Sequence, residues 1–149
     1  MNSRELLELK QNEPYILLFI DSLKKKRSRN YHDLFVSWSN CFKEAQINVY
    51  IVVEEVNDKK ELNSNFIYIS ECDDEVFDVF HIYQKKYIFG KEHIIYRSCF
   101  YVIYETKIIK HCKRINQVTL EEALFLALEK KNEKKYKKIK KMIDMNKKL

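Results

Sequence analysis

Four cysteines, four histidines and one run of basic residues have the widest chemical reach in this sequence. Cys41, Cys72, Cys99 and Cys112 form no Cys-x-x-Cys pair. Thiol chemistry would therefore rest on a single thiolate, made available by a helix N-terminus or a neighbouring cation. His32, His81, His93 and His111 have no metal-ligand spacing, and His111 and Cys112, adjacent in a strand, face opposite ways. Ser28, His32 and Asp33 supply the residue types of a hydrolytic triad but lack its strand-turn-helix motif. The run Asp21-Ser22-Leu23-Lys24-Lys25-Lys26-Arg27-Ser28-Arg29 leads into a helix, where backbone N–H groups and basic side chains converge on a place suited to an anion. The alternative is a solvated loop.

These residues need elements to position them. Tyr15 to Ile20 is an almost continuous apolar run of the kind a central buried strand requires, and Ile47 to Val53 is a second, rich in β-branched residues. Between them Tyr31, Leu34, Phe35, Trp38, Cys41, Phe42 and Ala45 recur at helical spacing, so the pattern is β-α-β with Cys41 on the inward stripe. Asn30 and Asp33 suggest the helix start, placing Ser28 at or just before the first turn. A polar connection carrying Glu54, Glu55, Asp58 and Glu61 follows, either an acidic patch or a wet loop. Phe66 to Ile69 reads as a third strand. Asp73 and Asp74 can cap a short helix with Val76, Phe77, Val79, Phe80 and Tyr83 on its apolar side. Gln84 to His93 reads as a basic, aromatic loop around Gly90. Ile94 to Tyr104 and Lys107 to Cys112 then give a strand-turn-strand signal without Gly or Asn at the turn. Thr119 with Glu122 forms a capping box for a last helix through Leu120, Ala123, Leu124, Ala127 and Leu128, extendable along Tyr136, Ile139, Met142 and Ile143. The expected fold is α/β, three layers around a mixed sheet.

The 149 residues suffice for one domain with a real core, although one glycine and one proline are few for its turns. No stretch reads as a secretory signal or a membrane span, and a reducing cytoplasm with free thiols is the expected setting. Charge is unevenly distributed. Residues 129 to 149 hold ten lysines against three carboxylates, a balance of +7, leaving 18 basic and 19 acidic side chains, or −1, for residues 1 to 128. The expected division is a domain over 1 to 128 and a lysine-rich helical extension or tail over 129 to 149. That tail is either a solvated helix or an adhesive segment for an acidic protein, membrane surface or RNA.

Several segments carry a resemblance. Phe66-Ile67-Tyr68-Ile69-Ser70, Asp73-Asp74-Glu75-Val76-Phe77, Tyr87-Ile88-Phe89-Gly90-Lys91, Arg97-Ser98-Cys99-Phe100-Tyr101-Val102-Ile103 and Lys107-Ile108 are similar to the second half of the peroxiredoxin family. The branch resembled is that of bacterioferritin comigratory protein, or peroxiredoxin Q, and the similarity covers about Tyr15 to Leu128. It implies a thioredoxin-like fold with a central mixed sheet and flanking helices.

The departures from that family bear on activity. In the ungapped register its proline, threonine and peroxide-attacking cysteine correspond to Asp21, Lys25 and Ser28. Its optional resolving cysteine falls on Asp33, and its late-turn glycine on Thr106. Serine cannot substitute, because peroxide reduction needs a thiolate that leaves the attack as a sulfenic acid. Arg97 matches the arginine that supports the thiolate in the family, and Cys99 stands where the family has threonine. The resemblance thus implies a peroxiredoxin-like protein with a degenerate site, acting by binding. No cofactor is implied. Lys25, Arg27, Ser28 and Arg97 are the candidates for holding a small anion or a partner. A protein partner is expected first, with nucleic acid or an acidic membrane surface behind it, and self-association is open. The competing reading is residual thiol peroxidase or thiol-disulfide activity through Cys99 or Cys72 beside Arg97.

Overall fold

The structure, a computed structural model, describes residues 1–54 and 62–147, with the side chains of 135, 136, 138 and 139 outside that description. Glu55, Asp58 and Glu61 of the expected acidic patch, and Tyr136 and Ile139 of the expected extension stripe, therefore lie outside the described residues.

Helix α1 (Ser3–Leu7) opens the chain, closed by a reciprocal cap in which Glu5 N–H donates to Asn2 Oδ1 at 2.9 Å and Asn2 N–H to Glu5 Oε1 at 3.2 Å. Strand β1 (Tyr15–Ile20) follows, buried at all six positions, as a strand covered on both faces must be. Helices α2 (Lys26–Ser37) and α3 (Ser39–Ala45) lead to β2 (Asn48–Val53), and β3 (Ile67–Ile69) comes next. Helix α4 (Asp74–Val79) precedes β4 (Tyr83–Ile88) and β5 (Lys91–Tyr96). Strands β6 (Cys99–Tyr104) and β7 (Lys107–Cys112) and the long helix α5 (Gln117–Lys147) complete the chain. The main sheet has the order β3-β2-β1-β6-β7, parallel across β1, β2 and β3 and antiparallel from β1 to β6 and β6 to β7.

The period of two along the strands sorts their side chains into two cores. Ile16, Leu18, Ile20, Ile51, Phe100 and Val102 meet Phe35, Phe42, Leu120 and Ala123 from α2, α3 and α5. Leu17, Phe19, Val52, Tyr101 and Ile103 meet Leu6, Val76 and Phe80 on the other face. This is the expected three-layer arrangement. Burying each large apolar side chain contributes about 1.5–3 kcal/mol. Stability therefore resides in the sheet and its helices rather than in the β4–β5 pair, whose side chains are mostly exposed.

Several local expectations are corrected. The first long helix starts at Lys26 rather than Asn30, and it breaks at Trp38, whose backbone leaves the helical region at φ −99° and ψ 1°. The restart resets the phase of α3, so Phe42 points inward and Cys41 is exposed instead of joining the core. Gln84 to His93 is not a loop but the greater part of an antiparallel hairpin closed at Phe89-Gly90, both at positive φ. The run from Ile94 to Tyr104 is two strands in different sheets, divided at Arg97-Ser98. Val79 is exposed, and Tyr83 belongs to β4. Asp73 stands at the N-cap of α4 without a side-chain cap bond. Thr119 is not the N-cap of the last helix: Asn116 N–H donates to Thr119 Oγ1 at 3.1 Å and Thr119 N–H to Asn116 Oδ1 at 2.9 Å. Glu122 instead accepts from Lys110 Nζ at 3.1 Å.

The late turn forms without glycine, with Glu105 at φ 52° and Thr106 at φ 62°. The neighbouring β6–β7 ladder holds a β-branched residue in a region it disfavours. Helix α5 has 31 residues and so runs about 46 Å. Its inner half packs on the sheet. Farther along, Lys131 Nζ donates to the carbonyls of Ala45 and Gln46 at 3.2 and 3.0 Å, placing a cation at the C-terminal end of α3.

Candidate functional site

The entrance to α2 is folded by its own residues. Asp21, nearly buried where β1 ends, accepts from the Ser22 N–H at 2.8 Å and forms an ion pair with Lys25. Lys24 N–H donates to Ser22 Oγ at 3.1 Å, and Lys25 N–H to the Ser22 carbonyl at 3.0 Å. Arg27 Nε donates to the Tyr31 hydroxyl at 3.0 Å. Ser28 lies in the first turn of α2, as expected, and is buried. His32 is buried too, its Nε2 2.6 Å from the Tyr68 hydroxyl, which also accepts from Asn63 N–H. That contact fastens α2 to β3.

Burial disfavours ionisation of three of the thiols, Cys72, Cys99 and Cys112. Burial pushes Cys99 up to about 12, against a lowering from the Tyr101 hydroxyl and a further rise from Cys112. Burial likewise raises Cys112 to about 11. Cys72 is half-buried and raised by burial; the nearby N-terminal ammonium lowers it and Asp73 raises it, the sense expected of that acidic turn. Cys41 is exposed on α3. Among the described residues no group of His, Cys, Asp or Glu could hold a metal ion, and no helix is long and apolar enough to cross a membrane.

Arg97 and Ser98, the link between the two sheets, stand between two adjoining cavities. Arg97 N–H donates to the Ile82 carbonyl at 2.7 Å, and the neighbouring Tyr96 hydroxyl donates to the Ile20 carbonyl at 3.0 Å. These bonds seat the hairpin beside the end of β1. One cavity, about 250 Å³, reaches inward to His81, Cys99 and His111; the other, about 320 Å³, opens toward Arg27, Tyr31 and Lys86. Both are lined by Gln84, Arg97, Ser98 and Lys113. Of the four residues expected to hold an anion, the structure thus brings Arg27 and Arg97 together, while Lys25 and Ser28 line neither cavity.

Two polar atoms beside these cavities stand out. Gln84 Oε1 and His111 Nε2 are buried without a hydrogen-bond partner among the described residues. The His111 ring stacks on Tyr101 with centroids 4.3 Å apart, and its pKa is lowered by burial and then by Lys113 and His81. Burying an unsatisfied polar atom costs about 1–3 kcal/mol, so such positions call for an explanation. Sequence reasoning missed Gln84, Lys86, His111 and Lys113 as a group. The usable signal was Phe89-Gly90 as a turn with aromatic and β-branched residues on both sides, Tyr83, Tyr87 and Ile88 before it and Ile94, Ile95 and Tyr96 after it.

Comparison with known proteins adds the fold. No protein-family model matches the chain. No curated protein matches it in sequence. Solved structures do match in shape. Peroxiredoxin Q of Xanthomonas campestris aligns over 81% of each chain at TM-score 0.60 and 13% identity. Peroxiredoxin 5 of Alvinella pompejana aligns over 80% of this chain and 83% of its own at TM-score 0.59 and 13% identity. The fold is thioredoxin-like. Apo Sco1 of Thermus thermophilus shares the arrangement at TM-score 0.52 and 16% identity, over 83% of this chain and 78% of its own. Because proteins with different names share it, function has to be argued from the site.

Proposed function

We propose that this chain is a non-catalytic, peroxiredoxin-like binding protein that uses the groove beside Arg97. The observation that carries this reading is the fate of the thiols. Ser28 occupies the first turn of α2, where helix N–H groups could have stabilised a thiolate, and it is buried. Cys99, the one cysteine lining the cavity with Arg97, is only 3% exposed and has its thiol pushed up to about 12. The Arg97 guanidinium is therefore available to a ligand rather than committed to a reactive sulfur. The resemblance to peroxiredoxins supports the architecture of the site and supplies no electron donor.

The test is peroxide consumption by the reduced full-length chain with excess dithiol, followed by intact-mass analysis. The expected result is no turnover above a protein-free control and no sulfenic or disulfide product. Turnover abolished by Cys99→Ser would overturn the proposal and assign a thiol peroxidase built on a relocated cysteine.

A further inference from the structure

We propose that the two adjoining cavities form one site for a small phosphorylated sugar or nucleotide. Its phosphate would lie among Arg27, Lys86, Arg97 and Lys113, and its hydroxyl-bearing part against Gln84 and His111. This rests on the binding reading above and names the ligand class.

Charge segregation is the first argument. Directly paired residues of an antiparallel hairpin share a face. Gln84 pairs with Ile95, Lys86 with His93 and Ile88 with Lys91, so one face of the hairpin carries cations and no carboxylate. Glu92, the hairpin's acid, is on the opposite face and pairs with Lys85 at 3.3 Å. Gln84 and Lys86, from the cation-bearing face, line the groove. No carboxylate among the described residues lines either cavity. Two acids that act on the groove residues Tyr83 and Tyr96 are engaged elsewhere, Glu54 accepting from the Tyr83 hydroxyl at 3.0 Å and Asp21 pairing with Lys25. Lys86, Arg97 and Lys113 make no ion pair among the described residues. Gathering these charges without a counter-charge is unfavourable for the free protein and favourable for an anion.

Hydrogen-bond complement is the second argument, and it separates an organic phosphate from a bare one. Gln84 Oε1 can only accept, so it requires an O–H or N–H from the ligand. His111 Nε2, held toward the neutral ring by burial, Lys113 and His81, is beside the same inner cavity and can exchange one further hydrogen bond with a hydroxyl. Inorganic phosphate near neutral pH carries its one or two O–H groups on the anion itself, whereas a sugar phosphate also carries hydroxyls beyond the phosphate that can reach Gln84 and His111 while the anion stays among the cations. A sugar hydroxyl satisfies the glutamine oxygen. The adjoining cavities, 250 and 320 Å³ with a shared wall, together fall in the range that holds a small metabolite rather than a polymer.

The experiment is titration calorimetry of the reduced full-length protein at fixed ionic strength, using ribose 5-phosphate, AMP and inorganic phosphate, with a single-stranded oligonucleotide as a fourth probe. The expected result is saturable binding of an organic phosphate about tenfold or more tighter than inorganic phosphate, a gap equivalent to one good hydrogen bond. Gln84→Leu should abolish that preference, and Arg97→Gln should weaken both ligands about tenfold with the thermal melt unchanged. Equal affinity for organic and inorganic phosphate, absence of binding at millimolar ligand, or binding of the oligonucleotide alone would each overturn the proposal. Repeating the titration with Cys99→Ser keeps the two readings distinguishable. Retained organic-phosphate binding in a protein found to turn over peroxide would defeat the non-catalytic reading and leave this one standing.

Discussion

The α2 entrance and the hairpin groove are both rich in cations, yet they are built in opposite ways. At the entrance a cation and its counter-charge are close in sequence, Asp21 holding Lys25 and the Ser22 N–H, while Arg27 bonds the neutral Tyr31 hydroxyl and borders the groove. In the groove Lys86, Arg97 and Lys113 come from three separate stretches and, among the described residues, meet without a carboxylate and next to two polar atoms that have no hydrogen-bond partner. A local run of charge can fold onto its own counter-charges because the chain between them is short. Cations gathered by tertiary structure find a counter-charge only where the fold brings one, and no carboxylate among the described residues lines the groove, which is why the proposed ligand is placed there.

If the groove-facing thiol is structural, alkali should unfold the protein before it activates it. Cys99 and Cys112 have folded values near 12 and 11 against 9.0 for a free thiol. The folded state therefore holds protons that the unfolded state releases. The stability this supplies is complete below pH about 9 and is lost as pH rises toward 11 and 12, at about 1.4 kcal/mol per unit for each thiol. Denaturant titrations at pH 7, 9 and 10.5 should show a fall of a few kcal/mol, shallower in Cys99→Ala. A flat profile would mean that these thiols ionise freely in the native state, returning Cys99 to candidacy as a nucleophile.

Asp21→Ala tests the self-contained entrance. The exposed Lys25 partner contributes little, whereas the Ser22 N–H would lose its acceptor in a buried position, so the cost should be about 2 kcal/mol. A denaturant midpoint unchanged from wild type would show that the entrance is not held together by Asp21. The groove should respond with the opposite sign. Gln84→Leu removes an unsatisfied buried acceptor and should stabilise the free protein by about 1 kcal/mol while ending organic-phosphate selectivity. Destabilisation by that substitution would mean that the glutamine is satisfied in solution and contributes to the fold.

The turn and the exposed arginine sharpen the contrast at the small end. Thr106→Gly, at φ 62°, should raise stability by about 1 kcal/mol by relieving a left-handed threonine. Thermal melts check this, and a lowered midpoint would remove strain as a description of that turn. Arg97→Gln should move stability by no more than about 0.5 kcal/mol, since the residue is exposed and bonds the fold through its backbone N–H.

Much of the fold was legible in the chain because its signals are local. The unbroken apolar run of β1, the β-branched run of β2 and the apolar period of α5 each point to one element, and each is found. The errors arose where two elements of similar composition adjoin. Ile94 to Tyr104 is dense in aromatic and β-branched residues, and the polar pair Arg97-Ser98 is too short an interruption to distinguish a passage from one sheet to another from a strand that runs on. Cys41 fits the helical stripe by count, but a single residue at Trp38 leaves the helix and turns it to solvent.

By itself, then, the sequence determined the opening strand-helix-strand pattern, the central place of β1, the last helix and the lack of a cysteine at the start of α2, because periodicity and residue identity are properties of neighbours along the chain. Only the tertiary structure decided that Arg27 and Arg97 share a groove with Lys86 and Lys113, that Lys25 is held by Asp21, and that Cys99 is sealed beside Arg97. Those facts depend on which strands lie side by side. That choice follows from burying both faces of the sheet at once, a condition that no short window of sequence contains.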